Sequence, residues 1–260
     1  MTGLAPDELT LAIEHNVEDV FRLVACHYPG AVITDSEGVL RYSTDVSHLF
    51  GNVVVRTRLD DTVADEVVRD VVADHRRRDM PMMWFVSPSS QPSRLAQMLQ
   101  SAGGRATSPS PGMAADLTGI STQIHFPDGV RVEEVVGPAS LNRWVHTLTE
   151  AFDLPETVGK MFAIQNSQFR PFLAYLDGKP GATSALFVAD GVAGIYCVGT
   201  KAEARRRGIG TVITHAPLLE ARKQGCRYAI LQSSELGLNV YKQLGFVEQC
   251  QFLRYVFNVE

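Results

Sequence analysis

The chain has 260 residues, 45% of them hydrophobic and 20% charged, and a net charge of −5. That supplies enough apolar material for one large domain or two small ones and excludes a disordered or low-complexity chain. The acidic balance argues against a nucleic-acid partner, and no run of about 18 apolar residues is present to span a membrane.

The first residues, Met-Thr-Gly-Leu-Ala-Pro-Asp-Glu, lack the basic and apolar blocks of a signal peptide, so the expected location is cytoplasmic. Cys26, Cys197, Cys226 and Cys250 form no C-x-x-C pair or zinc spacing and are expected to be reduced. The histidines are scattered, and no metal is expected.

In chain order, Leu11, Ile13, Val17, Val20, Phe21 and Val24 predict an amphipathic helix over 9–26. β-prone segments follow at 31–34, 39–42 and 52–58, the first two joined by a turn at 35–38. His27 and His48 read as surface or turn residues. Residues 60–78 form the next helical pattern, ending in His75-Arg-Arg-Arg78, where cations suit a helix C-terminus. A strand over 82–86, a helix over 92–102 and a stop at Gly103-Gly104 come next. A Pro/Ser/Gly loop at 105–112, a candidate closing strand at 113–117 and a linker at 119–129 place a boundary near residue 125.

Beyond it, the pattern predicts a strand over 130–136 and helices over 138–152 and 156–168. A hairpin of strands 171–176 and 182–190 turns around Asp177-Gly-Lys-Pro180, and a strand over 192–199 follows. That strand runs into Arg205-Arg-Arg-Gly208-Ile-Gly210, then into a helical pattern lasting to Gly225. The first N–H groups of a helix have no intrahelical partner and sit at the positive end of its dipole. With two glycines permitting close approach and three arginines supplying charge, the junction reads as an anion cradle; the plainer reading is a turn with a solvated basic cluster. Pro217 falls inside this helix and is expected to kink it. A strand over 227–232 and the segment Asn239-Val-Tyr-Lys-Gln-Leu-Gly-Phe246 follow.

Here the chain resembles the GNAT acyltransferase superfamily, which carries R/Q-x-x-G-x-G/A and, some thirty residues later, Y-x-x-L-G-F. Arg205-x-x-Gly208-x-Gly210 matches the first motif and Tyr241-Lys-Gln-Leu244-Gly245-Phe246 the second. Gly191-Val-Ala-Gly-Ile-Tyr196 and Leu231-Gln-Ser-Ser-Glu235 look like a bacterial subgroup. The order strand, long helix, strand, short helix ending in glycine, strand occurs twice, with Gly103 in the place of Gly245, so the resemblance extends to tandem members. The first copy reads Arg58-Leu-Asp-Asp-Thr-Val63 at its strand-to-helix junction, without glycine and with two carboxylates, and is expected to be degenerate. The expected fold is α/β (α+β): two GNAT-like units, each a mixed, mostly antiparallel twisted sheet flanked by helices, the first truncated. The expected domains are 1–125 and 126–260.

The resemblance implies acetyl-CoA as co-substrate and direct attack by an amine within a ternary complex. Val198, Gly199 and Thr200 would pair with the pantetheine amides, Val198 nearest the thioester oxygen. Arg205, Arg206, Arg207, Gly208, Ile209, Gly210 and Thr211 would hold the pyrophosphate, with Ser234 on the pantetheine arm. Tyr241 would protonate the leaving thiolate. Where relatives place a glutamate, Ala193-Gly-Ile-Tyr-Cys-Val198 has no carboxylate, which leaves a base acting through ordered water, no base at all, or the helix residue His146. Cys197 reads as a buried structural thiol rather than a nucleophile. Trp144, Phe152, Met161 and Phe162 read as core or as an apolar acceptor pocket. The implied acceptor is a small-molecule primary amine; a protein or peptide amine, or a non-catalytic acyl-CoA-binding or sensor module, are the alternatives. A monomer or homodimer is expected.

Overall fold

A computed structural model describes residues 4–36 and 38–258; Glu37, within the expected turn, lies outside the described residues. The first elements are α1 (Pro6–His27), β1 (Val32–Ser36), β2 (Val39–Ser43), β3 (Asn52–Thr57), α2 (Asp61–Arg78) and β4 (Met82–Val86). Then come α3 (Leu95–Ser101), β5 (Arg105–Ala106), β6 (Ser110–Asp116), β7 (Val130–Glu134), α4 (Pro138–Phe152) and α5 (Glu156–Met161). The last are β8 (Phe169–Leu176), β9 (Lys179–Ala189), β10 (Val192–Thr200), α6 (Ile209–Lys223), β11 (Tyr228–Gln232), α7 (Leu238–Gln243) and β12 (Val247–Phe257).

These elements build two compact units, the larger from residues 4–16 and 112–249, the smaller from 17–111 and 250–258. Neither is continuous in sequence, so the single cut expected near 125 does not describe them. The closing strands make the difference. Residues 112–116 of β6 pair antiparallel with β11, and Met113, Ala115 and Leu117 are buried in the core of the larger unit. Residues 253–257 of β12 pair antiparallel with β4, burying Tyr255 and Phe257 in the core of the smaller. The strand expected to close the first half thus closes the second. Two copies of one element order need the same kind of apolar closing strand, and alternation does not say which copy receives which.

In the larger unit the strand order is β6-β11-β10-β9-β8-β7, antiparallel except for the β10–β11 pair. One face receives Ile209, Val212, Ile213 and Leu218 of α6 against Ala182, Leu186, Ala193 and Ile195. On the other, Gly199 lies against Phe152 and Ala151 of α4. Helix α6 runs through Pro217 to Lys223 without a break. The proline leaves the Ile213 carbonyl without its helical donor, and the Ser184 hydroxyl donates to it instead at 2.7 Å.

The smaller unit has the order β1-β2-β3-β4-β12, with β5 also on β12. Its β3–β4 pair is parallel and connected through α2, repeating the arrangement of β10, α6 and β11. Val68, Val71 and Val72 of α2 and Leu95 and Leu99 of α3 pack with Trp84. Each unit is therefore the mixed, mostly antiparallel sheet with flanking helices that the sequence predicts.

Candidate active site

Strands β10 and β11 pair only at Val192↔Tyr228, Ala193↔Ala229 and Gly194↔Ile230. From residue 195 onward β10 is bonded to β9 alone, so a gap opens between the two parallel strands. A bulge accompanies it: the β9 register jumps between Tyr196 and Gly199, and Cys197 takes a φ of 53°. Thr183 Oγ1 donates to the Cys197 carbonyl at 2.8 Å. The C=O and N–H of one trans peptide point in opposite directions, so this bond turns the Val198 N–H away from β9 and toward the gap. Cys197 leaves the regular strand geometry that its apolar neighbours predict. Burial pushes its thiol up to about 12, so at neutral pH it is protonated and a poor nucleophile.

After Thr200 a 3₁₀ turn at Ala202–Ala204 leads to Gly208, the N-cap of α6. Arg206 and Gly208 are both left-handed, at φ 57° and 73°. Glycine is required at 208 on two counts, since a Cβ would also lie 2.8 Å from Pro127 Cγ. At Gly210 a Cβ would meet only Thr200 Oγ1, at 3.7 Å, so the space over the first turn is open. The first helical bonds run from Thr211 and Val212 to the Gly208 carbonyl. No bond joins the N–H groups of residues 206–210 to any described residue, and they stand together as donors at the positive end of α6. Arg205 Nε donates to the Thr200 carbonyl at 3.1 Å, and Arg207 approaches Asp177 at 4.0 Å. Lys201 is held by Glu150 and Glu203 at 2.8 and 3.1 Å. Arg206 is exposed. A backbone cradle with a basic rim fits a pyrophosphate. A cavity of about 810 Å³ begins at Thr211 and His215 and extends to Gly245 and the 119–124 loop, room for the bulk of a nucleotide beside it.

Tyr241 lies on α7, 7% exposed, its ring edge-on to Phe246 with centroids 6.1 Å apart. The hydroxyl passes close over Gly237, where a Cβ would meet it at 3.2 Å. Burial pushes the phenol up to about 12, so it holds its proton at neutral pH. Ser234 is exposed, and its Oγ accepts from the Gly237 N–H at 3.3 Å, which organises the turn into α7. His146 is a solvent-facing residue of α4 beside Glu150 at 3.5 Å. Trp144 and Met161 are fully buried core. Of the apolar acceptor-pocket candidates, Phe152, 45% exposed, is the one set against β10.

The structure therefore brings Val198 to Thr200, the loop from Arg205 to Gly210 and Thr211 onto one continuous stretch of cradle. Three features escape the sequence reading. The Cys197 bulge has no local signal, because a positive φ at cysteine is imposed by its neighbours. Gln232 ends β11 with its Nε2 buried and unpartnered. Asn16 is a 2%-exposed amide on the apolar face of α1, where its polarity among Ile13, Val17 and Val20 was the available clue.

Residues 139–246 match the Acetyltransferase (GNAT) family, a span running from α4 to Phe246 that includes the gap, the cradle and Tyr241. A GCN5-related N-acetyltransferase from Kribbella flavida has a similar structure: TM-score 0.73 at 20% identity, covering 94% of this chain and 96% of that one. One from Sphaerobacter thermophilus gives 0.64 at 14% identity, covering 98% and 93%. A tandem GNAT protein from the clavulanic acid biosynthesis pathway gives 0.62 at 13% identity, covering 98% and 96%. Identities this low bear on fold alone. No curated protein matches the sequence. Residues 139–246 thus match the Acetyltransferase (GNAT) family, within a fold similar over most of its length to that of a tandem GNAT protein.

Proposed function

We propose that the larger unit transfers an acetyl group from acetyl-CoA to the primary amine of a small molecule, by direct attack within a ternary complex. The observation that carries this reading is the Val198 N–H, turned into the gap and followed in the chain by five unpartnered N–H groups at residues 206–210. Acetyl-CoA supplies the activated acyl group. The cradle and Arg205 to Arg207 bind its pyrophosphate, and the free edge of Val198 to Thr200 pairs with the amides of the pantetheine arm. The Val198 N–H donates to the thioester oxygen where negative charge develops, and a fixed backbone donor needs no reorganisation to do so. Tyr241 donates to the departing sulfur. Its phenol is a weaker acid than an ordinary thiol, about 8.5, so it serves as a hydrogen-bond donor and proton relay rather than as a lasting phenolate. Strand β10 offers no carboxylate as base, and the proton of the attacking amine passes to solvent.

Free-thiol release from acetyl-CoA over a panel of primary amines tests this. Tyr241→Phe is expected to lower kcat at least tenfold while the acetyl-CoA KM stays within threefold. If the wild type binds acetyl-CoA but no amine or peptide releases thiol, the site is a binding or sensing module and the catalytic role of Tyr241 is wrong.

A further inference from the structure

The sheet of the larger unit has two faces at the gap. Ala193, Ile195 and Val198 pack in the cluster that contains α6, the helix of the cradle. Gly194, Tyr196 and Gly199 point the other way, Gly199 against Phe152. Because Gly194 is level with Ile230, Tyr196 and Gln232 each stand two residues beyond the last β10–β11 pair and share that second face. Three polar groups that the cradle does not use lie on this second face, two of them in contact. Asn16 Nδ2 donates to the Val192 carbonyl at 3.2 Å, and Asn16 Oδ1 accepts from the Tyr196 hydroxyl at 2.8 Å. Gly194 makes room for them, since a Cβ there would lie 2.1 Å from Asn16 Oδ1 and 2.3 Å from Tyr196 Cε2. Gln232 Nε2 is buried and has no partner.

We infer that Asn16, Tyr196 and Gln232 form the wall that reads the acceptor, selecting a small primary amine with an uncharged oxygen, hydroxyl or carbonyl, close to the nitrogen. The inference rests on the acetyl-transfer reading of the same gap. Asn16 is oriented by the Val192 carbonyl and its Oδ1 accepts the hydrogen bond of the Tyr196 hydroxyl, so toward a substrate the phenol oxygen acts as an acceptor, and an amine N–H supplies the matching donor. Gln232 Nε2 can only donate, and an orphaned buried donor gains most from an oxygen that arrives with the substrate. None of the three carries charge. A carboxylate desolvated against amides and a phenol would lack a counter-ion, which disfavours amino acids as acceptors. Phe152 adds an apolar flank beside Gly199.

The test uses the full chain, acetyl-CoA and four matched amines: 2-aminoethanol, glycinamide, glycine and propylamine. Wild type is expected to prefer the first two. Gln232→Leu is expected to raise KM for 2-aminoethanol and glycinamide about tenfold, leaving propylamine and the acetyl-CoA KM within twofold. Tyr196→Phe, which removes one hydroxyl, is expected to lower kcat/KM for every amine, and Gln232→Asn to recover part of the lost preference. Melting curves of each variant report folding. A rise in the acetyl-CoA KM in Gln232→Leu would assign the side chain to the donor and overturn the inference, as would turnover with no preference among the four amines. If wild type acetylates no amine at all, the transferase reading falls and this inference falls with it.

Discussion

Cys197 holds a left-handed φ inside a strand, where a non-glycine residue is strained, and Thr183 Oγ1 fixes the result by taking its carbonyl. Thr183→Val keeps the volume and removes that bond, so the Val198 N–H loses its fixed direction. The expected outcome is a kcat/KM several-fold lower in the thiol-release assay with acetyl-CoA affinity unchanged by calorimetry. In the smaller unit, His75 is 1% exposed with both ring nitrogens unpartnered. Burial, helped by the nearby charges of Arg78 and Arg41, lowers it to about 4. The folded value lies below the unfolded one, about 6.5, so the unfolded chain takes up the proton first. The stability this neutral imidazole protects is present above pH 6.5 and is lost as pH falls toward 4. The half-buried His48 acts in the same direction, whereas the lowered carboxylates Asp35, Asp60, Asp65 and Asp74 lose their contributions only below that window. Melting temperature is expected to drop between pH 7 and pH 5, and His75→Leu to flatten the drop. At this scale the placement of Gly208 and Gly210 at the start of α6 and of Tyr241 on α7 was legible, because each belongs to a spaced motif. Asn16, Gln232 and the Cys197 bulge were not, because their roles come from contacts made across the sheet.

Helix α6 combines an open N-terminus with a proline in its body. Both the helix and the proline are legible in sequence; the remedy is not, because Ser184 comes from a strand 33 residues before Pro217. Removing that hydroxyl leaves the Ile213 carbonyl buried without a donor, so Ser184→Ala is expected to cost about 1–3 kcal/mol by urea unfolding. In a Pro217→Ala background the new N–H bonds Ile213 directly, and the same substitution is expected to cost measurably less. Helix α5 shows the opposite outcome, stopping at Met161 where the pattern runs on to 168. Phe162 and Ala163 bond back three residues, to Gly159 and Lys160, and Asn166 Oδ1 accepts from the Gln168 and Phe169 N–H groups to start β8. Helix α2 is the counterpart of α6 in the smaller unit, and its N-terminus is already closed. Asp60 Oδ1 caps Thr62 N at 3.0 Å, and Arg94 binds Asp61 and Asp65 at 3.0 and 2.8 Å. Of the two carboxylates that make Arg58 to Val63 a poor phosphate loop, Asp60 is used as the helix cap and Asp61 is matched by Arg94.

Across the whole chain, the repeated element order was legible because each copy keeps its strand, helix and glycine punctuation. The partition into units was not, because closing strands of equal apolar character at 112–116 and 253–257 carry no label of the sheet they join. One copy keeps an open helix N-terminus and the other has capped its own, so the proposed acyl-CoA site is expected once per chain. Calorimetric titration of acetyl-CoA into the wild type and Gly210→Asp measures this. The aspartate has space, suits the first turn of a helix and leaves folding intact, yet places a carboxylate where the pyrophosphate binds. One acetyl-CoA per chain, with affinity at least a hundredfold weaker in Gly210→Asp, is the expected result. Two equivalents per chain, or equal binding by the variant, would contradict it.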